Sequence, residues 1–125
     1  MIRSLITQLS LQCTSTPRAI ELLFSSYMDG DRQPTSDTLL ATLLQTIRGF
    51  DELFIILDAL DECENREELL EDVKVITSCK PGKLHILVIS RREKDIEESL
   101  NSLVDDQKKV CIQSALVNDD IRAYI

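Results

Sequence analysis

The spacing of apolar residues predicts three helices in the first half of the chain. The first helix opens the chain, because four apolar residues recur at the spacing of one helix face: Ile2, Leu5, Ile6 and Leu9. Thr16 and Pro17 supply the N-cap and the first-turn proline of a second helix, which runs to about Tyr27. A third helix begins at the capping segment 34–37 and ends at Gly49, and its apolar face holds Leu39, Leu40, Leu43, Leu44 and Ile47.

In the second half, the pattern alternates between strands and helices. The predicted elements are buried strands over 53–58 and 85–90, helices over 66–78 and about 95–103, the turn 80–83, a short strand over about 109–113, and a last helix that Asn118 caps and that is still running at Ile125. Strands that alternate with helices imply a parallel sheet with right-handed crossovers. The predicted fold class is therefore α/β, with a parallel sheet of about three strands and an N-terminal helical segment. Because the pattern starts and stops within helices, we expect residues 1–125 to be one domain that is cut at both ends.

Composition and charge narrow the class of protein. With 43% hydrophobic and 29% charged residues, the chain has the composition of a soluble globular protein. Its net charge of −8 argues against nucleic-acid binding, since phosphate backbones need a basic face. No apolar stretch approaches the ~18 residues that span a bilayer, and the N-terminal segment is not a signal peptide. Four scattered cysteines and one histidine predict reduced thiols rather than a zinc site. We expect a cytoplasmic protein with neither nucleic-acid nor membrane partners.

Candidate chemistry lies at the end of the first predicted strand. The apolar run from Leu53 ends in three carboxylates, Asp58, Asp61 and Glu62. Ligands of open α/β sheets bind at the carboxyl ends of strands, and carboxylates there suit Mg²⁺ bound together with phosphates. Asp58 is the candidate metal ligand, and Asp61 or Glu62 is the candidate group that orients an attacking water. The alternative for Asp61 and Glu62 is negative charge favoured at the start of the following helix.

A second candidate group, Ser90-Arg91, follows the second predicted strand. Arg91 is placed to reach a terminal phosphate as a planar, permanently charged donor. The alternative is a surface ion pair with Glu93 or Asp95. No machinery for nucleophilic hydrolysis is visible, because there is no Gly-x-Ser-x-Gly elbow and His85 is predicted to be a packed strand residue.

These two segments together resemble a known family. Phe54-Ile-Ile-Leu-Asp-Ala-Leu-Asp-Glu62 and Ile86-Leu-Val-Ile-Ser-Arg91 are similar to the Walker B and sensor-1 segments of a NACHT domain, a signal-transducing NTPase module. The likeness is closest to the nephrocystin-like N-terminal group, which is abundant in fungi and often joined to ankyrin or other repeats. The segments 1–10 and 117–124 also resemble that group, so the likeness covers essentially the whole chain. It implies a P-loop NTPase-like, three-layer fold.

The resemblance implies a role for each candidate residue. Asp58 matches the Walker B acid that holds Mg²⁺, Asp61 and Glu62 match the additional acidic pair, and Glu62 is the candidate that orients the water. Arg91, with Ser90 beside it, matches the sensor arginine that contacts the nucleotide. The family's strand order also places a strand between 85–90 and 109–113, so we expect 109–113 either to pair with 85–90 or to be loosely held.

The family's phosphate loop, Gly-x-x-x-x-Gly-Lys-Ser/Thr, has no counterpart in residues 1–125. We therefore expect a fragment of an NTPase module that uses Mg²⁺ and ATP or GTP when complete, and that neither binds nor hydrolyses nucleotide by itself. Its expected partners are other domains or NACHT chains. Two alternatives remain. One is a non-catalytic interaction or scaffold module that pairs with full-length NACHT proteins. The other is a metal-dependent phosphatase or receiver-like domain, which rests on the carboxylates alone and lacks the pattern of an aspartyl nucleophile.

Overall fold

The computed structural model describes residues 1–28, 30, 32–79, 83–112 and 121–124. The elements in chain order are α1 (Ile2–Gln12), α2 (Arg18–Tyr27), α3 (Ser36–Ile47), β1 (Glu52–Leu57), a 3-10 turn (Leu60–Glu62), α4 (Arg66–Ser78), β2 (Lys83–Val88), α5 (Lys94–Asn101) and a second 3-10 turn (Asp106–Lys108). Residues 121–124 are also helical. This mixture of helices with a parallel strand pair confirms the predicted α/β class.

The starts of the early helices depend on local capping. At α3, the Thr35 hydroxyl accepts a hydrogen bond from the Thr38 amide at 3.2 Å, as the capping segment predicted. At α2 the predicted helix is present, but the predicted Thr16 cap was wrong, because Pro17 itself occupies the N-cap position and no side chain caps the helix. Instead, the Pro17 carbonyl accepts the amide of Ile20 at 2.9 Å. The extended backbone of Pro17 (ψ 139°) places Thr16 outside the helix, so its hydroxyl is not used as a cap.

The two strands pair in parallel. The register runs from Glu52 opposite Lys83 to Leu57 opposite Val88. Two backbone hydrogen bonds continue the connection beyond the strands, from the Ile89 amide to the Leu57 carbonyl at 2.8 Å and from the Leu60 amide to the Ile89 carbonyl at 3.2 Å. Both predicted strands are therefore confirmed, with β2 starting two residues earlier than the pattern indicated. The carboxyl ends of β1 and β2 meet at one edge of the sheet.

The core lies on one face of this sheet. Helices α1, α2, α3 and α4 pack apolar side chains together with those of β1 in one cluster, which is formed by Ile2, Ile6, Leu9, Ile20, Leu43, Ile47, Leu53, Ile55 and Ile76. A smaller cluster of Leu60, Leu70 and Ile96 lies beneath the first 3-10 turn and holds it against α4 and α5. The second cluster thereby gives the segment after β1 a fixed position.

The opposite face of the sheet is uncovered among the described residues. Its apolar side chains are Phe54, Ile56, Leu87 and Ile89, which are 68%, 64%, 55% and 47% exposed. A continuous apolar run had predicted strands buried on both faces, and parallel sheets normally have both faces covered. His85, predicted to be packed, is exposed as well and stacks on Phe54 with ring centroids 4.6 Å apart. The described residues thus form two layers, and the predicted third layer is not among them.

The predicted strand over 109–113 was also wrong over the four residues that the structure describes. Residues 109–112 are not in a strand, and Val110 and Ile112 are 89% and 76% exposed. A strand persists only where a neighbour completes its hydrogen-bond ladder, and β2 pairs with β1 alone in the described residues. The sheet there has two strands instead of about three. Residue 113, the Asn118 cap, Ile125 and most of the turn 80–83 lie outside the described residues.

None of the helices within the described ranges has the length and apolar character needed to cross a bilayer.

Candidate functional site

The segment after β1 forms a tight acidic turn, defined here as residues 58–62. Asp58 Oδ1 accepts the amide of Ala59 at 2.8 Å, and Ala59 adopts the left-handed conformation (φ 54°, ψ 45°). The Glu62 amide then donates to the Ala59 carbonyl at 3.0 Å. A non-glycine residue in this conformation costs roughly 1–2 kcal/mol. Burial of Leu60 beneath the turn offsets that cost, because this side chain is only 3% exposed.

Asp61 connects the turn to the end of β2. Its Oδ1 accepts the backbone amide of Arg91 at 3.0 Å and lies 3.4 Å from the Ser90 hydroxyl, which also donates to the Arg91 carbonyl at 2.8 Å. Its Oδ2 lies 3.6 Å from Nε of Arg91. The Asp61 side chain is 8% exposed, whereas that of Arg91 is 82% exposed. Asp61 is therefore an internal link between two strand ends, and the Arg91 guanidinium remains open to solvent.

These contacts stabilise the ionised form of Asp61. The hydrogen bond from the Arg91 backbone amide is the largest cause that lowers the pKa of the Asp61 carboxyl below its ordinary value. Burial acts in the opposite direction, while the Arg91 guanidinium and the Ser90 hydroxyl lower the pKa further. The net direction is downward. Asp61 is thus an anion at neutral pH, and its oxygens already have partners in the protein.

Asp58 and Glu62 differ from Asp61 because they remain exposed. Among the described residues, the Glu62 side chain makes no hydrogen bond or ion pair, and only Oδ1 of Asp58 is engaged. Both residues line an open groove of about 480 Å³ beside β1 and α1, which also includes Gln8 and Cys63. The structure therefore brings Asp61, Ser90 and Arg91 together and leaves Asp58 and Glu62 free at the groove.

No group of three or more His, Cys, Asp or Glu side chains is arranged to hold a metal ion in the described ranges. All four cysteines are free thiols, with Cys13 and Cys63 half-buried. A bound Mg²⁺ keeps several waters and takes one or two carboxylates together with substrate phosphates. A single exposed carboxylate at a strand end, as at Asp58, fits that requirement.

A comparison with models of protein families identifies the family of this chain. The family model described as "Nephrocystin 3, N-terminal" matches residues 1–91. The chain belongs to the nephrocystin 3 N-terminal family. The matched region begins at α1 and ends at Arg91, so it contains both strands, the acidic turn and the Asp61–Arg91 contact. No curated protein and no solved structure matches the chain.

The family match confirms the predicted resemblance to the nephrocystin-like N-terminal group over those residues. The segment 117–124, which also suggested this group, lies outside the match.

In this nephrocystin 3 N-terminal chain, the sequence pattern missed one residue of the site. Arg66 donates from Nη1 to the Asp61 carbonyl at 3.2 Å, and its Nε lies 3.1 Å from Oδ2 of Asp95. The sequence pattern offered Asp95 as an alternative partner of Arg91, but Arg91 pairs with Asp61 and Asp95 pairs with Arg66. A signal was present in the sequence, because a cation at the first position of a helix opposes the helix dipole. Arg66 occupies that position in α4.

Proposed function

We propose that residues 1–125 are part of a NACHT-type, signal-transducing NTPase module. In its nucleotide site they supply the residues that bind the metal ion and orient the attacking water. The observation that carries the proposal is the contact between Asp61 and the Arg91 backbone at 3.0 Å. This contact holds the ends of two parallel strands together, at the edge of the sheet where ligands of α/β folds bind. Membership of the nephrocystin 3 N-terminal family supports the proposal.

The proposed roles follow from exposure and hydrogen bonding. Asp58, exposed and with one oxygen free of described partners, holds Mg²⁺, which supplies charge neutralisation at the phosphates when bound. Glu62 is exposed beside the same groove and orients the attacking water. Arg91 contacts the terminal phosphate, because its guanidinium is 82% exposed while its backbone is held in place. Ser90 lies next to it, and Asp61 positions both residues.

The nucleotide in the complete module is ATP or GTP. Phosphates in such sites are bound mainly by the backbone amides and the lysine of a glycine-rich loop, and residues 1–125 contain no Gly-x-x-x-x-Gly-Lys segment. The proposal is therefore that this chain by itself neither binds nucleotide tightly nor hydrolyses it, and that it acts together with other domains or other chains.

A manganese titration followed by NMR tests the metal side of the site. Mn²⁺ substitutes for Mg²⁺ at carboxylate sites and broadens nearby amide resonances. We expect broadening around residues 58–62 that Asp58→Asn abolishes. The matched control is Glu67→Gln, which removes the same charge from the exposed start of α4. Broadening that survives Asp58→Asn, or that Glu67→Gln removes equally, would overturn the proposal.

A second candidate function is favoured by the uncovered sheet face. Phe54 and Ile56 on β1, Leu87 on β2 and Ile89 just after β2 form one exposed apolar surface. Apolar surfaces of this kind mark protein interaction sites. In this candidate the chain is a non-catalytic module that binds a longer protein of the same family through this surface.

Association with such a longer family member, measured by sedimentation, distinguishes the second candidate. Ile56→Thr is expected to weaken association, whereas Leu22→Thr, at an exposed site on α2, is expected to leave it unchanged. Equal effects of the two substitutions, or an absence of association, would rule out binding through the sheet face.

A further inference from the structure

Arg66 makes contacts with two different parts of the chain at once. It is the first residue of α4, and its guanidinium reaches both the Asp61 carbonyl, at 3.2 Å, and the Asp95 carboxylate on α5, at 3.1 Å. The side chain is only 30% exposed. A guanidinium is planar and carries several donors in fixed directions, so one side chain can bridge two acceptors in this way.

The Arg66 contacts complete a closed ring of interactions. The Asp61 carboxylate holds the Arg91 backbone, and the chain then passes from Arg91 into α5, where Asp95 holds Arg66. The Arg66 side chain also donates a hydrogen bond to the backbone carbonyl of Asp61, which closes the ring. Asp61 is therefore anchored at both ends, by its side chain to the end of β2 and by its main chain to α4. The carbonyl that Arg66 binds belongs to the peptide bond between Asp61 and Glu62, so Arg66 also fixes the backbone at Glu62.

Stability alone does not explain an arginine at this place. A cation in the first turn of a helix is disfavoured by the helix dipole, whereas the next two residues, Glu67 and Glu68, follow the usual preference. A partly exposed ion pair contributes little to the free energy of unfolding. A purely structural role would therefore predict a small effect that is spread evenly over the domain.

We infer that Arg66 is a positioning residue that acts through Asp61 and Asp95 to hold the acidic turn in register with Ser90-Arg91. The ring of contacts is independent of any nucleotide. The inference rests on the proposed function only for the consequence that Arg66 aligns the metal and phosphate contacts of the site.

Amide hydrogen exchange of the whole chain provides a local readout. The quantity to measure is the exchange rate of the Arg91 amide, which donates to Asp61, relative to that of the Ile76 amide in α4. Ile76 is 2% exposed and serves as the reference for the core. Arg66→Gln and Asp95→Asn are each expected to accelerate exchange at Arg91 by about threefold to tenfold relative to Ile76, the range expected when a hydrogen bond of ordinary net strength is lost. The double variant is expected to match the larger single effect, because both residues act through one contact.

Arg92→Gln is the matched control. It removes the same charge and breaks the ion pair between Arg92 and Glu97, a residue of α5, but the Arg92 side chain makes none of the side-chain contacts of the ring. We expect it to leave the Arg91-to-Ile76 ratio unchanged. Acceleration at both amides in equal proportion, an equal effect of Arg92→Gln, or strictly additive effects in the double variant would each overturn the inference. If Arg66→Gln fails to fold, Asp95→Asn, at a half-exposed site, decides the question alone.

The two proposals fail in different measurements. If manganese does not broaden residues 58–62 but the Arg91 amide responds to Arg66→Gln, the proposed function is wrong and the positioning role stands. If manganese binds through Asp58 but the Arg91 amide does not respond, the positioning role is wrong and the proposed function stands.

Discussion

The Asp61 carboxylate accepts the backbone amide of Arg91 at 3.0 Å, and this contact joins the segments that follow β1 and β2. It assigns different tasks to neighbouring acidic residues, since Asp61 is 8% exposed and engaged, while Asp58 and Glu62 are exposed. A metal or water site built from such a turn needs one group to hold the backbone and others that remain free. Asp61 is the group that holds the backbone.

Asp61 makes the stability of the chain depend on pH in a defined direction. Its folded-state pKa lies below the ordinary value of 3.8, first because the Arg91 amide donates to the ionised form. The resulting stabilisation is fully present above pH 3.8 and is lost as the pH falls through the folded-state pKa. We expect thermal unfolding of Asp61→Asn to show a shallower loss of stability than the wild type in this acid range. An unchanged acid limb would contradict the assigned contact.

The same substitution tests the link at neutral pH. Asp61→Asn keeps one oxygen for the Arg91 amide but removes the charge, so we expect the melting temperature to fall by a few degrees. The Arg91 amide resonance is expected to shift more than those in α1 or α3. A chemical-shift change spread evenly over the domain would show that Asp61 acts on general stability and not on the strand ends.

A glycine at position 59 is expected to stabilise the chain. The φ of 54° at Ala59 costs an alanine roughly 1–2 kcal/mol, which a glycine avoids although it loses more backbone entropy on folding. Ala59→Gly is therefore expected to raise the free energy of unfolding by about 0.5–1 kcal/mol in chemical denaturation. The control is Ala41→Gly in the interior of α3, which is expected to lower it by about 1 kcal/mol. Destabilisation by both glycines would mean that Ala59 is not strained.

Much of the fold follows from local signals. The bounds of α4, residues 66–78, agree with the apolar stripe of Leu69, Leu70, Val73 and Ile76, because helix periodicity and the flanking turns are short-range features. The acidic end of β1 could likewise be predicted from the sequence, since the apolar residues and the carboxylates that follow them lie in one continuous segment.

Leu43 is fully buried, and Leu43→Ala is expected to lower the free energy of unfolding by about 2–5 kcal/mol because it leaves a cavity. Leu22 on α2 is 55% exposed, so Leu22→Ala is expected to change it by no more than about 0.5 kcal/mol. Denaturant titrations of the two variants compare these values. Similar losses from both would contradict the position of the core between α3 and β1.

The remaining features depend on contacts between distant segments, which periodicity does not encode. The apolar run of β1 could not show that Phe54 and Ile56 lie on an uncovered face, because the same residues suit a strand buried on both sides. Val110 and Ile112 had the composition of a strand but no neighbour to pair with among the described residues. The bridge from Arg66 to Asp95 joins two helices whose packing is visible only in three dimensions.

Nucleotide provides a further prediction for the isolated chain. Without a phosphate-binding loop in residues 1–125, Mg·ATP and Mg·GTP are expected to leave its melting temperature unchanged, and phosphate release is expected to stay at the level of the buffer. Differential scanning fluorimetry and a phosphate assay measure the two quantities. A nucleotide-dependent rise in melting temperature that Asp58→Ala abolishes would contradict the proposal that this chain does not bind nucleotide tightly by itself.

The proposed metal site at Asp58 can be tested by the manganese-induced broadening of the Ala59 amide resonance, compared with that of the Glu67 amide. Asp58 is proposed as the residue that contacts the metal, and Ala59 is bonded to its carboxylate at 2.8 Å. We predict that Ala59 broadens at lower manganese concentration than Glu67 in the wild type, and that the difference disappears in Asp58→Asn. Equal broadening at both amides in the wild type would show that the acidic turn attracts cations no better than an ordinary acidic helix start, and would contradict a metal site at Asp58.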